Sequence, residues 1–266
     1  ECGCDPLRLL GHLLATDPDL FRVATRPGSD EPVAFVSANR RGATWFLAML
    51  FVDPSLQRAG VGRRLLERVL PAADVRDHLA LGTATDSAQP ISNGLYGAYG
   101  MVPRMPVWRL VGRPERPERL ERLPADVDVE VFAAATEAPD PVHAIDREVV
   151  GYERPQDHAF LLSERRVLAI YRRGEHPVGY GYASPPGRFG PMAATDAALL
   201  APIGAHLLTL VDAPGAYAAW VPGAAGPLTT MLLRAGFRFE PFPMLFCWSA
   251  PLADFERYVP ISGALI

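Results

Sequence analysis

The run Leu50-Phe51-Val52-Asp53-Pro54-Ser55-Leu56-Gln57-Arg58-Ala59-Gly60-Val61-Gly62-Arg63-Arg64-Leu65-Leu66 sets two glycines between a hydrophobic strand closed by Pro54 and an amphipathic helix. Glycine has no Cβ, so the backbone there can approach a ligand closely. The first N–H groups of a helix lack intrahelical partners and carry the positive end of the macrodipole, which makes them an anion site. A diphosphate bridging several such groups would bind without any lysine, and Arg58, Arg63 and Arg64 stand at the rim for charge-assisted contacts. A plainer reading of the same loop is a tight turn into a helix. The sequence is neither a Rossmann nor a Walker loop, because the third glycine of one and the lysine of the other are missing.

Several elements must position this loop. Leu7, Leu10, Leu13 and Leu14 recur at helical spacing behind Asp5-Pro6. Strands are expected over 20–24, 32–38 and 43–52, with turn chemistry at Pro27-Gly28-Ser29-Asp30. A helix over 58–70 would turn Val61, Leu65, Leu66 and Val69 inward, followed by a strand over 78–85, a short helix over 92–99 and a strand over 106–111. Strands with helices interposed late in the run predict an α/β fold whose sheet is part antiparallel and part parallel.

Arg113-Pro114-Glu115-Arg116-Pro117-Glu118-Arg119 has the composition of an exposed linker. It divides the chain into 1–112, a linker over 113–126, and 127–266. The second part repeats the order of the first. The turn Arg172–Gly179 answers Arg26–Ala34, Gly187-Arg188-Phe189 answers Gly42–Trp45, Leu207-Leu208 answers Leu65-Leu66, and Leu232–Phe237 answers Tyr96–Met101. Four correspondences in one order favour a tandem duplication. A complete first copy would carry a further strand and helix before Leu7, where six residues stand.

Composition excludes other chemistries. All 26 basic residues are Arg, so a Schiff-base lysine, a P-loop lysine and a Ser-Lys pair are ruled out. The net charge of -4 with scattered Arg argues against nucleic-acid binding, which needs clustered cations. Cys2, Cys4 and Cys247 make no disulfide framework or zinc site, and the six histidines show no ligand spacing, so no metal is expected and the histidines read as surface or capping residues. No apolar run is long enough for a membrane span, and no leader-like start is visible, so the expectation is a cytoplasmic chain. Phe237, Phe239, Phe242, Phe246 and Trp248 read as core or domain interface, or as the lining of an acceptor groove.

The loop resembles the acyl-CoA motif of the GCN5-related N-acetyltransferase (GNAT) superfamily, with Gln57, Gly60 and Gly62 filling its Gln/Arg-x-x-Gly-x-Gly/Ala pattern behind Val52 and Pro54. Ser92–Arg104 resembles the family's second signature, with Met101 in place of the usual Phe. The resemblance implies two tandem GNAT-like domains, each a mixed, partly antiparallel sheet flanked by helices. It implies acetyl-CoA as co-substrate, held by the backbone of Phe51 and Val52 along the pantetheine arm and by Gln57, Arg58, Ala59, Gly60, Val61, Gly62 and Arg63 around the pyrophosphate, with Asn93 on the CoA arm. Tyr96 would lie near the thioester sulfur. A phenol of pKa about 10 can protonate the thiolate that leaves when an amine attacks; the alternative places its ring in the core and its hydroxyl at the surface. The acceptor would be a small-molecule amine.

No carboxylate occurs over 43–52, where many members carry a base. Asp53 and Asp86 fit turn or cap roles, which leaves a water-mediated base, a backbone carbonyl or loss of activity. In the second copy Leu199, Pro202 and Gly204 fall opposite Gln57, Gly60 and Gly62, and Leu232 and Thr229 fall opposite Tyr96 and Asn93, so its cofactor site is expected to be lost. The reading is therefore an N-acetyltransferase; a non-catalytic acyl-CoA-binding or interaction module is the alternative.

Overall fold

The computed structural model describes residues 6–266, and Cys2 and Cys4 lie outside the described residues. In chain order the first part forms α1 (Pro6–Thr16), β1 (Phe21–Thr25), β2 (Pro32–Arg41), β3 (Thr44–Val52), α2 (Val61–Val69), α3 (Ala73–Arg76), β4 (Ala80–Asp86), α4 (Pro90–Gly97) and β5 (Val102–Gly112). The second forms β6 (Asp128–Phe132), α5 (Asp140–Val149), α6 (Pro155–Ser163), β7 (Val167–Arg173), β8 (His176–Ala183), β9 (Phe189–Ala194), α7 (Leu200–Leu207), β10 (Tyr217–Pro222), α8 (Gly226–Ala235), β11 (Arg238–Phe239), β12 (Met244–Trp248) and β13 (Tyr258–Val259).

The helix expected from Arg58 begins at Val61 instead. Arg58 and Gly60 have φ of 67° and 75°, left-handed values that no α-helix continues, so Arg58–Gly60 stays a loop. From there the apolar face of α2 buries Leu65, Leu66 and Val69. β2 turns into β3 through Gly42-Ala43, where Gly42 has φ 53° and an added Cβ would sit 2.7 Å from Tyr152 Cβ.

The larger sheet has the order β1-β2-β3-β4-β12-β5-β10, with β11 also on β5, and is antiparallel except for β3 beside β4. The smaller sheet runs β13-β9-β8-β7-β6, antiparallel throughout. The repeat is visible in space. β1-β2-β3 and β7-β8-β9 are matching antiparallel runs, each followed by helix, strand and helix. Both contain a register shift at their last pairing, between Ser37 and Ala38 and between Gly181 and Ala183.

Residues 113 and 115–119 are exposed, yet the larger sheet crosses this segment. β12 inserts between β4 and β5 and pairs with both, while β5 pairs with β10. The aromatic run near the end of the chain is thereby core in part. Phe246 is buried and meets Phe46 edge-on at 6.4 Å, and Phe237 is buried against Phe189, whereas Phe242 is exposed.

A buried polar cluster joins the two parts. Arg41 donates to both oxygens of Asp157 at 2.9 Å and to Asp17 at 2.8 Å, and His12 Nε2 lies 2.8 Å from Asp157. Arg154 and His158 enclose Asp146, with Tyr180, Tyr182 and Tyr258 completing the hydrogen bonds. The expectation of surface or capping histidines is corrected here: His158 is fully buried and the His12 side chain largely so, because each has a carboxylate partner that offsets desolvation. No helix among the described residues is long and apolar enough to cross a membrane.

Candidate active site

Pairing of β3 with β4 covers Thr44–Leu47 and Ala80–Thr83 and goes no further. Ser37 pairs with Met49 and Ala38 with Leu47, so Ala48 is an extra residue, a bulge that bends β3. Thr83 Oγ1 donates to the Leu47 carbonyl at 3.0 Å and pins the last point of contact. Beyond it the two strands diverge around a cleft.

Two cavities occupy the cleft, of about 390 and 640 Å³. Leu50, Val52, Gln57, Gln89, Ser92 and Tyr96 line both, so they form one continuous space with Tyr96 at the junction. The smaller cavity opens on the start of α2 through Arg58, Gly60, Val61, Gly62 and Arg63. Arg64 N–H is the first to bond back along the helix, to Gly60 O at 3.1 Å. Among the described residues the N–H groups of Val61, Gly62 and Arg63 have no acceptor. Gly62 packs on the strand end, where an added Cβ would lie 3.4 Å from Val52 Cγ2.

Other expected residues sort as follows. The Gln57 amide donates to Val52 O at 3.5 Å across the loop mouth. Phe51 is 60% exposed, stacks on Phe35 at 5.3 Å and lines the larger cavity rather than the smaller. Two expected contacts are not brought to the cleft. Ala59 spends its N–H on Leu56 O at 3.4 Å and lines neither cavity. Asn93 donates to Asp86 O at 3.2 Å and Gln89 O at 2.9 Å, so it fastens α4 to the end of β4 and does not line the cleft.

Tyr96 is buried, and burial pushes its phenol up to about 12; a hydrogen bond with Ser92 opposes that rise, and the Cys247 thiol of β12 adds to it. Tyr99 instead donates to Glu67 at 2.6 Å and faces α2. Of the two carboxylates considered, Asp53 is a turn residue, its Oδ1 accepting from Ser55 N at 2.8 Å and Ser55 Oγ at 2.5 Å. Asp86 Oδ1 accepts from Ala88 N at 2.8 Å, and the residue also lines the larger cavity.

Sequence reasoning missed Ser92, which stands one helical turn before Tyr96, a spacing that does signal contact. It also missed the far walls of the larger cavity: Phe160, Arg188, Trp220, Met244 and the segment 261–265. Nothing local in those residues points to the cleft.

Residues 5–101 match the Acetyltransferase (GNAT) family. The first part of the chain is a GNAT domain of the acyltransferase type. Over the described residues the fold resembles that of solved GNAT structures, a tandem GNAT protein among them. A proposed acetyltransferase from Pyrococcus horikoshii is similar over 97% of this chain and 84% of its own, with TM-score 0.74 and 19% identity. A tandem GNAT protein from the clavulanic acid biosynthesis pathway is similar over 94% and 90%, with TM-score 0.54 and 14% identity. A GCN5-related N-acetyltransferase from Sphaerobacter thermophilus is similar over 90% and 84%, with TM-score 0.51 and 15% identity. No curated protein matches the chain in sequence. The second GNAT-like copy differs at the place that corresponds to the cleft. α7 follows a single 3-10 turn (Ala197–Leu199) with no glycine loop, and Leu199, Pro202 and Gly204 are buried. β13 pairs with β9 there, through Tyr258 with Ala193 and Val259 with Met192.

Proposed function

We propose that the GNAT domain transfers the acetyl group of acetyl-CoA to a primary amine by direct attack on the thioester. One observation carries this reading: a single cleft joins the unpartnered N–H groups of Val61, Gly62 and Arg63 to Tyr96 and to a second cavity large enough for an acceptor. Acetyl-CoA supplies the activated acyl group. The helix start fits its pyrophosphate, because those N–H groups and the macrodipole favour an anion, and the backbone of Leu50–Val52 past the last β4 pairing offers groups for the pantetheine amides. Arg58 and Arg63 flank the same opening.

Tyr96 holds its proton throughout the neutral range, since its phenol titrates near 12. Burial penalises a developing thiolate as much as a phenolate. A protonated phenol beside the sulfur therefore stabilises the leaving group by hydrogen bonding and then by proton transfer.

Residues 1–112 are the catalytic domain, 113–126 the linker and 127–266 the second domain in this reading. The division is one of function more than of folding, since β12 lies in the first sheet. The second copy has lost its cofactor site: β13 fills the edge of β9 that an acyl-CoA arm would need. A cytoplasmic setting suits a chain whose Cys247 is a buried free thiol.

Calorimetric titration of acetyl-CoA, with thiol release measured over a panel of amines, tests the function. Binding with release upon amine addition is expected. Binding without release for any amine would identify a CoA-binding module, and no binding would leave an interaction protein.

A further inference from the structure

We propose that the larger cavity takes a monoamine carried on an apolar body, with Asp86 receiving its ammonium group. The inference rests on the acyl-transfer reading of the same cleft and names its acceptor class.

The walls come from both parts of the chain. Leu9 of α1, Phe160 of α6, Trp220 of β10, Met244 of β12 and Leu265 surround the space with hydrocarbon and aromatic rings. Two of these wall residues are tied to the surrounding structure. Phe160 stacks on His12 at 4.5 Å, His12 is held by Asp157, and Met244 pairs through its backbone with Asp86 and Val107. Such a cavity favours a ligand that loses apolar surface to water on entry.

Its charge is just as selective. Among the described residues lining it, Asp86 is the one carboxylate and Arg188 the one cation. Arg188 Nη2 donates to Ile261 O at 2.5 Å and so serves the C-terminal wall. Asp86 is held at two points, through Oδ1 by Ala88 N–H and through its carbonyl by Asn93. Oδ2 makes no hydrogen bond among the described residues. Asp86 is exposed at the end of β4, so this oxygen is open to water until an ammonium arrives. One anchored carboxylate matches one ammonium. A second ammonium, as in a polyamine, would enter walls that offer it no acceptor carboxylate, and a peptide would bury amides against rings.

The chemistry balances with these groups. The ammonium gives up one proton to solvent, and the freed amine forms the N–C bond as the C–S bond breaks. The sulfur takes the Tyr96 proton, and the second proton leaving nitrogen restores the phenol. The products are an amide, free CoA thiol and one proton in solvent.

A homologous series of n-alkylamines from propylamine to octylamine tests the inference, with 2-phenylethylamine, spermidine and a short peptide as comparators. Thiol release should give a kcat/KM that rises about threefold to fourfold per methylene until the cavity fills. Spermidine should fall at least about tenfold below hexylamine, because its further charges stay unpaired. Asp86→Asn should raise the KM for hexylamine by about tenfold, the worth of a hydrogen bond to a charged group, while the calorimetric Kd for acetyl-CoA stays unchanged. Trp220→Ala should flatten the alkyl series. A flat series or a preference for spermidine, with acetyl-CoA binding intact, would overturn the acceptor class and leave acyl transfer standing. An unchanged amine KM in Asp86→Asn would overturn the anchor. Absence of acetyl-CoA binding would overturn both the inference and the reading beneath it.

Discussion

At the scale of single residues, the proposed chemistry rests on a glycine with left-handed backbone and a buried phenol. Gly60 has φ 75°, which a β-branched residue adopts only under strain, and its loop carries the turn that exposes the helix N–H groups. Gly60→Val should weaken acetyl-CoA by tenfold or more, about 1.4 kcal/mol, in a calorimetric titration. Tyr96→Phe removes only the proton donor, so kcat should fall by about a hundredfold or more while the acetyl-CoA Kd holds. Because the Tyr96 phenol is pushed up to about 12, kcat at saturating amine should show no loss between pH 8 and 10 from its ionisation. A decline centred at the ordinary phenol value of about 10 would contradict the burial assigned to it. The turn into α2 was legible in the sequence because it is a backbone property of adjacent residues. Tyr96 was legible through its spacing from that loop. Asn93 and Ala59 line neither cavity, because a short polar side chain and a loop N–H each found a partner in their own neighbourhood, a choice that spacing does not reveal.

At the scale of elements, α2 and β12 hold the cleft open. Leu66 is fully buried under the larger sheet, so Leu66→Ala should cost about 2–5 kcal/mol in denaturant unfolding. Phe246 of β12 is likewise buried, between Phe46 and Phe255, and Phe246→Ala should cost about 3–5 kcal/mol. The more telling outcome is its effect at a distance: Cys247, the next residue, packs near Tyr96, so loosening β12 should lower kcat as well. The order of strands and helices in the first part was readable from periodicity and turn residues. The insertion of β12 between β4 and β5 was not, since a strand's pattern tells which face is buried and not which strand will flank it.

At the scale of the whole molecule, the two parts share one sheet and one buried charge cluster, so unfolding should be a single cooperative transition. Removing one member of the cluster strands the other: Arg41→Ala leaves Asp157 buried beside fewer donors and should cost about 3–5 kcal/mol. Acid should act on the same cluster. Burial lowers His158, so the unfolded chain takes its proton first and stability begins to fall as pH drops through about 6.5. Burial pushes Asp157 and Asp146 up, but His12 and Arg41 hold the first below the usual carboxylate range, and Arg154 and His158 hold the second far below it. Their stabilisation is complete above the unfolded carboxylate range and is lost as pH falls below it. Thermal unfolding should therefore show a Tm that declines from pH 7 to 5 and more steeply below 4; a flat Tm to pH 4 would contradict the paired burial. The repeated order of elements could be read from four ordered correspondences, whereas the clasp could not, because Arg41 and Asp157 stand 116 residues apart. The most direct test of acyl-CoA binding in the first copy alone is a crystal structure of the chain with acetyl-CoA. The pyrophosphate is expected on the N–H groups of Val61, Gly62 and Arg63, the sulfur beside the Tyr96 hydroxyl, and no acetyl-CoA along β9. Acetyl-CoA bound along β9, or anywhere outside the β3–β4 cleft, would contradict it.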